Sequence, residues 1–207
     1  MKKQFMVLLA CAALMGACNN SNKKDTVSSE KTETDKSETD NSSSGTESNA
    51  TTAMDAGQKR IEELQKLQPV SNETLKSFFP QEAMGLKRSS FNVSSAMGYA
   101  VGTADYKKDD TTNYSVTIYD CAGQAGSAFY GISYLSRLNM EREDDNGYEK
   151  TVNYNGNTAI ELYNKGSNEH QLHFLSGDRF WVTVRGNEGI DKIKELINTL
   201  GLNKLKS

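Results

Sequence analysis

Residues 148–163 read YEKTVNYNGNTAIELY. Asn155-Gly156 inside this stretch is a pair that accepts positive φ at both central positions of a primed two-residue turn, so Tyr148–Tyr154 and Thr158–Tyr163 are expected to pair as a β-hairpin. The next residues repeat the device, with Gln171–Leu175 and Phe180–Val184 flanking the turn residues Ser176-Gly177-Asp178. Four consecutive strands joined by tight turns imply an antiparallel sheet.

Working outward, residues 123–139 carry Ala125, Ala128, Phe129, Ile132, Leu135 and Leu138 at spacings of three to four, the pattern of a helix packed on a sheet. Upstream, Met97–Tyr106 and Tyr114–Tyr119 form a hairpin around the polar loop 107–113. Ile61, Leu64 and Leu67 mark an amphipathic helix over 57–68 that Pro69 ends, and Ser71-Asn72-Glu73-Thr74 opens a short second helix. Downstream, Ile190, Ile193, Ile197 and Leu200 define a closing helix stopped by Gly201. The fold class expected is α+β, an antiparallel sheet of about six strands with helices packed on it, in the order ααββαββββα.

Composition divides the 207-residue chain into three parts. Residues 1–17 are a lipoprotein signal peptide by pattern, 18–53 a lipidated cysteine with a tether, and 54–207 a single α+β domain of ordinary size. That last part holds 18 basic and 20 acidic residues. It lacks the cationic excess by which nucleic-acid binders neutralise phosphates, so no nucleic-acid partner is expected.

The start Met1-Lys2-Lys3-Gln4 is cationic, and Phe5–Ala17 is an apolar run too short to span a hydrocarbon core of about 30 Å. It ends in Leu14-Met15-Gly16-Ala17-Cys18, which resembles the bacterial lipobox. That resemblance implies diacylation of Cys18 and cleavage before it; a cut before Cys11 would leave too short an apolar core. Two or three acyl chains anchor a protein permanently to a membrane. Asn19 and Asn20 stand where aspartate would signal retention in the inner membrane of a Gram-negative cell, so the resemblance implies the outer membrane.

Residues 19–53 hold 15 Ser or Thr, 11 charged residues and no aromatic residue. Such a segment buries too little surface to offset its chain entropy, and as a flexible tether it would hold the domain about 30–35 Å from the lipid. Asp25-Thr26-Val27 and Asp110-Thr111-Thr112 resemble the three-residue pattern at which Bacteroidota-type bacteria attach O-glycans to exported proteins, making Thr26 and Thr111 candidate sites. With Cys11 cleaved and Cys18 acylated, Cys121 is alone; it is expected to be a small buried hydrophobe.

Residues 79–207 resemble a group of uncharacterised exported proteins of Bacteroidota-type bacteria. The likeness is carried by Phe79-Pro80 with Met84-Gly85-Leu86-Lys87-Arg88, Val116–Asp120, Gly147–Thr151 and Gly177–Phe180. The element order also resembles the PsbP-like layout. Neither likeness implies an activity.

Catalytic and metal motifs do not assemble from the sequence. Gly131-Ile132-Ser133 lacks the second glycine of a nucleophile elbow and lies in a helical pattern. His170 and His173 fall on opposite faces of one strand, where they cannot share a metal, and each reads as an exposed strand residue. The acidic run Glu141–Gly147 places Arg142 and Asn153 where a calcium loop needs carboxylates, and it reads as a solvated helix-to-strand loop. No metal or cofactor is expected. Tyr148, Tyr154, Arg179 and Trp181 are the candidate partner contacts, because aromatic side chains on a sheet stack on sugars or anchor proteins. The expected function is a non-enzymatic binding or interaction module of the cell envelope, membrane-bound through its lipid, whose partner is an envelope protein or glycan. The alternatives are a structural accessory subunit of an envelope complex, or an enzyme using an acid/base arrangement of Asp105, Asp120 or Glu161.

Overall fold

The computed structural model describes residues 44–95, 98–135 and 139–206. The segment expected to be a signal peptide, Cys18, Thr26 and the expected tether up to residue 43 lie outside the described residues, as do Met97 and Leu138. The fold class is α+β, as expected, but the sheet is larger than the sequence suggests. It has nine strands in the spatial order β1-β2-β3-β4-β9-β8-β7-β6-β5, every neighbouring pair antiparallel.

Two meanders build it. The first comprises β1 (Glu82–Ala83), β2 (Leu86–Ser94), β3 (Ala100–Lys107) and β4 (Asn113–Asp120). The second comprises β5 (Glu141–Asp144), β6 (Gly147–Tyr154), β7 (Asn157–Asn164), β8 (Glu169–Ser176) and β9 (Phe180–Gly186). They join where β9 returns to lie beside β4, with Thr117 opposite Thr183. At the β6–β7 turn Asn155 and Gly156 both adopt positive φ, 52° and 80°, as the Asn-Gly pair anticipates.

The expected order ααββαββββα is corrected to ααββββαβββββα. Each missing strand has a physical reason. β1 is two residues long. β2 carries an irregularity between Arg88 and Ser90, which breaks the alternation by which a strand is recognised. β5, expected as a loop, is the fully exposed segment Glu-Arg-Glu-Asp, whose pairing with β6 leaves no apolar trace.

The helices are α1 (Ser44–Gln65), α2 (Asn72–Ser77), α3 (Gly123–Leu135) and α4 (Ile190–Thr199). α1 begins inside the segment expected to be tether, where Ala50, Ala53 and Ala56 extend a helix-forming run. α2 starts on the cap predicted for it, the Ser71 hydroxyl accepting a hydrogen bond from the Thr74 N–H at 3.2 Å.

One face of the sheet, the front, carries the main core. Ala104, Tyr106, Tyr114, Val116, Ile118, Leu172, Phe174, Phe180, Val182 and Val184 pack there with Ile193, Leu196 and Ile197 of α4 and with Phe79. The back face is covered at one end by α1 and α3, around Leu64, Cys121, Tyr130 and Leu175. α3 packs in a way its sequence does not announce. Gly123, Gly126, Ser127, Tyr130 and Ser133 are buried, whereas Ala125, Ala128 and Ile132 of the expected packing stripe are exposed and Phe129 is half-buried. The cause is the close approach at Gly126, where a Cβ would lie 2.7 Å from the Asp120 carbonyl oxygen. Only a glycine lets the helix settle there, and its small and polar neighbours turn inward with it.

A buried ion pair ties both meanders to the helices. Arg179 Nε and Nη2 donate to Asp120 Oδ1 and Oδ2 at 2.7 and 2.9 Å, and Nη2 also reaches the Gln68 carbonyl at 2.8 Å. Asp120 further accepts from the Val70 and Ala122 N–H groups at 2.7 and 3.0 Å. The chain linking α1 to α2 is thereby fixed to the end of β4 and to the β8–β9 turn.

Candidate functional site

The pairing register assembles a row of side chains that are far apart in sequence. Running across the front face from β2 to β5 it reads Arg88, Tyr106, Tyr114, Gly186, His170, Tyr163, Tyr148 and Glu143. Its centre is packed tight: the Tyr114 ring lies over Gly186, where an added Cβ would meet it at 2.4 Å. Tyr106 and Tyr114 are fully buried, and their hydroxyls donate to the Pro80 carbonyl at 3.0 Å and to Glu188 Oε2 at 2.7 Å.

Past Gly186 the row opens. His170, Tyr163 and Tyr148 are only half-buried. Tyr163 stacks on His170 with ring centroids 4.3 Å apart and 22° between planes, and Tyr148 lies 5.8 Å from Tyr163. His170 Nδ1 is buried without a hydrogen-bond partner among the described residues, so bonding capacity is unused beside the rings.

Beside these rings sits Glu161, its side chain 7% exposed. The Tyr148 hydroxyl donates to Glu161 Oε1 at 2.9 Å, Lys150 Nζ lies 3.4 Å from the same oxygen, and Lys194 Nζ reaches down from α4 to within 3.6 Å of Oε2. Both lysine side chains stay partly in water, at 40% and 34% exposure. Lys150 Nζ also stands 4.5 Å from the centre of the Tyr148 ring. Burial, and then the bond to Glu161, push the Tyr148 hydroxyl up to about 12, so it remains a protonated donor at neutral pH rather than a nucleophile.

A cleft of about 210 Å³ lies on the back side of the same strands, bordered by Tyr148 and Tyr163 but not by His170, Glu161, Lys150 or Lys194. Arg142, Asp144, Glu149, Leu162 and Gln171 line the remainder. Drug-sized ligand pockets run to about 300–1,000 Å³, so this one suits a single ring or side chain.

The candidate contacts fare differently. Tyr148 belongs to the cluster. Tyr154 is 7% exposed, with its hydroxyl 3.4 Å from Asn198, and Arg179 is buried against Asp120; both are removed from the contact set by burial. Trp181 does lie opposite Phe180 and Val182, on the back face, but it packs under α1 and α3 and meets His173 edge-on at 5.9 Å. Thr111 is exposed in the β3–β4 turn, its hydroxyl donating to Asp109 at 2.8 Å. Cys121 is buried, and burial raises its thiol to about 12.

Neither histidine is exposed, contrary to the sequence reading. His173 is held at about 4 by burial and is neutral at pH 7, bonding through Nε2 to Gln171, which in turn donates to Glu169. The run 141–147 is the β5–β6 hairpin, and no group of metal-binding side chains occurs among the described residues. The three carboxylates of the enzyme alternative have separate partners: Asp105 accepts from Ser90, Asp120 from Arg179, and Glu161 from Tyr148.

Tyr163, Lys150 and Lys194 were not singled out from the sequence, and His170 was read only as an exposed strand residue. The only signal was the wealth of tyrosine, since strand-to-strand register is needed to bring residues 148, 163 and 170 into one row. No helix among the described residues is long and apolar enough to cross a membrane, which says nothing of β-barrels. No family model, no curated protein and no solved structure matches this chain.

Proposed function

We propose that this protein is a lipid-anchored, non-enzymatic binding module of the bacterial cell envelope. In this reading Cys18 carries the acyl chains in the outer membrane, the Ser/Thr-rich segment gives reach, and the α+β domain binds through the front face of β6, β7 and β8. The observation that carries it is the half-exposed row Tyr148, Tyr163 and His170 beside Glu161, Lys150 and Lys194. Partly exposed rings next to fixed charged groups are the components of a recognition site. Glu161 is engaged by the Tyr148 hydroxyl and by both lysines, an arrangement that positions charged groups beside the rings.

Two measurements test the reading. Labelling with an alkynyl fatty acid is expected to mark the wild-type chain and not Cys18→Ser. Crosslinking of the tagged lipoprotein in its own membrane is expected to recover a specific protein or glycan, with yield lost in Tyr163→Ala. Absence of lipid label, or recovery of nothing specific, contradicts it.

A further inference from the structure

We propose that the back-face cleft binds a free α-amino acid as its zwitterion, with an apolar side chain resting on Leu162. This site is independent of the front-face row. A glycine creates it. On the back face Gln171, Leu162, Glu149 and Arg142 form one cross-strand row, and the next row runs through Asn164, Gly147 and Asp144. Gly147 leaves the middle of that second row without a side chain, and none can be added, because a Cβ there would run into the Tyr163 carbonyl oxygen. The space left is about 210 Å³, below the drug-sized range and enough for one small molecule.

The walls select the ligand. Glu149 is half-buried, and its carboxylate has neither a hydrogen bond nor an ion pair among the described residues. Arg142 stands directly opposite, but its Nη2 goes to Asp144 Oδ2 at 3.1 Å, and the side chain, 71% exposed, keeps its other N–H groups open to a ligand. Two groups of opposite sign that are not joined to each other therefore lie side by side, on Cβ atoms about 4.5–5.5 Å apart for such a cross-strand pair. An α-amino acid holds its nitrogen and its carboxylate carbon about 2.5 Å apart, so one molecule places its ammonium on Glu149 and its carboxylate on Arg142. Leu162, half-buried and beside Glu149 on β7, is the floor for the side chain. Gln171 closes the far side, its amide already used by Glu169 and His173.

Charge disfavours ligands of one sign. Arg142, Asp144 and Glu149 leave one negative charge in excess, and the flanking Asp145, Lys165, Glu169 and Arg185 cancel. Glu141, Glu143, Lys150 and Glu161 belong to the opposite face. An anion meets the surplus carboxylate, and a simple amine leaves Arg142 unused.

The experiment is saturation-transfer NMR on the full-length protein in a nonionic detergent, with three probes of one shape: L-leucine, L-leucinamide, charged only at its ammonium, and N-acetyl-L-leucine, charged only at its carboxylate. Leucine is expected to bind more tightly than leucinamide, and acetyl-leucine not at all. Glu149→Gln is expected to weaken leucine and leucinamide by about tenfold or more, whereas Arg142→Ala weakens leucine by a similar factor and leaves leucinamide no weaker. Lys87→Ala, at an exposed site on β2, is expected to change nothing. An unaltered melting temperature shows that the variants are folded; should one unfold, the three titrations of the wild-type protein decide the case. No transfer to leucine, equal binding of leucine and leucinamide, acetyl-leucine bound as well as leucine, or binding indifferent to Glu149→Gln overturns the assignment.

Discussion

Arg179 shows how much one buried side chain can organise. Its guanidinium satisfies both oxygens of Asp120 and the Gln68 carbonyl, in a site where the carboxylate is fully buried. Removing one partner leaves an uncompensated buried charge, so Arg179→Ala is expected to cost about 3–5 kcal/mol, and thermal unfolding measures it. Arg179→Lys should recover only part, because an ammonium cannot make the two parallel bonds. His173 gives a pH signature. Its folded pKa, about 4, lies below the ordinary 6.5 because the ring is buried, so below 6.5 the unfolded chain binds the proton that the folded chain refuses. Stability contributed by the neutral ring is therefore complete above pH 6.5 and declines as pH falls toward 4. A melting-temperature series over that window should flatten in His173→Gln. At this scale the sequence disclosed buried Cys121 but not buried Arg179 or Tyr154, because the burial of a long polar or amphipathic side chain depends on a partner that only the fold supplies.

At the level of elements, α3 is the sharpest departure from pattern. Of its apolar positions Phe129 packs inward against Tyr119, but Ala125, Ala128 and Ile132 face outward, since contact with β4 is set by Gly126 under the Asp120 carbonyl rather than by hydrophobic matching. Two outcomes follow. Ala128→Lys and Ile132→Lys, at exposed sites, should change stability by no more than about 0.5 kcal/mol. Gly126→Ala should destabilise by about 1–3 kcal/mol, because the backbone must move to admit a methyl group. Chemical denaturation of the three variants separates the two faces. The six strands legible in the sequence alternate cleanly or are closed by Asn-Gly and Gly-Asp turns. The three that were missed are too short, irregular or wholly charged to leave a periodic trace.

For the whole molecule, the same illegible strands explain why the sheet ends where it does. One edge is the two-residue β1 and the other the charged, exposed β5; short and charged edges resist the addition of further strands. Recognition then falls to the faces. The front is filled by α2 and α4 except beyond Lys194, and there the tyrosine row emerges half-covered. The row could not be read in advance, because it joins one residue from each of eight strands, and a one-residue slip of any strand would dissolve it. The most direct test places a photoreactive amino acid at residue 148, 163 or 194, and at exposed Ile132 and Arg185 as controls, in the full-length protein expressed in its own cells. The account predicts a common adduct from the first three positions and none from the controls. Adducts confined to the controls, or no adduct from any of the first three, would contradict it.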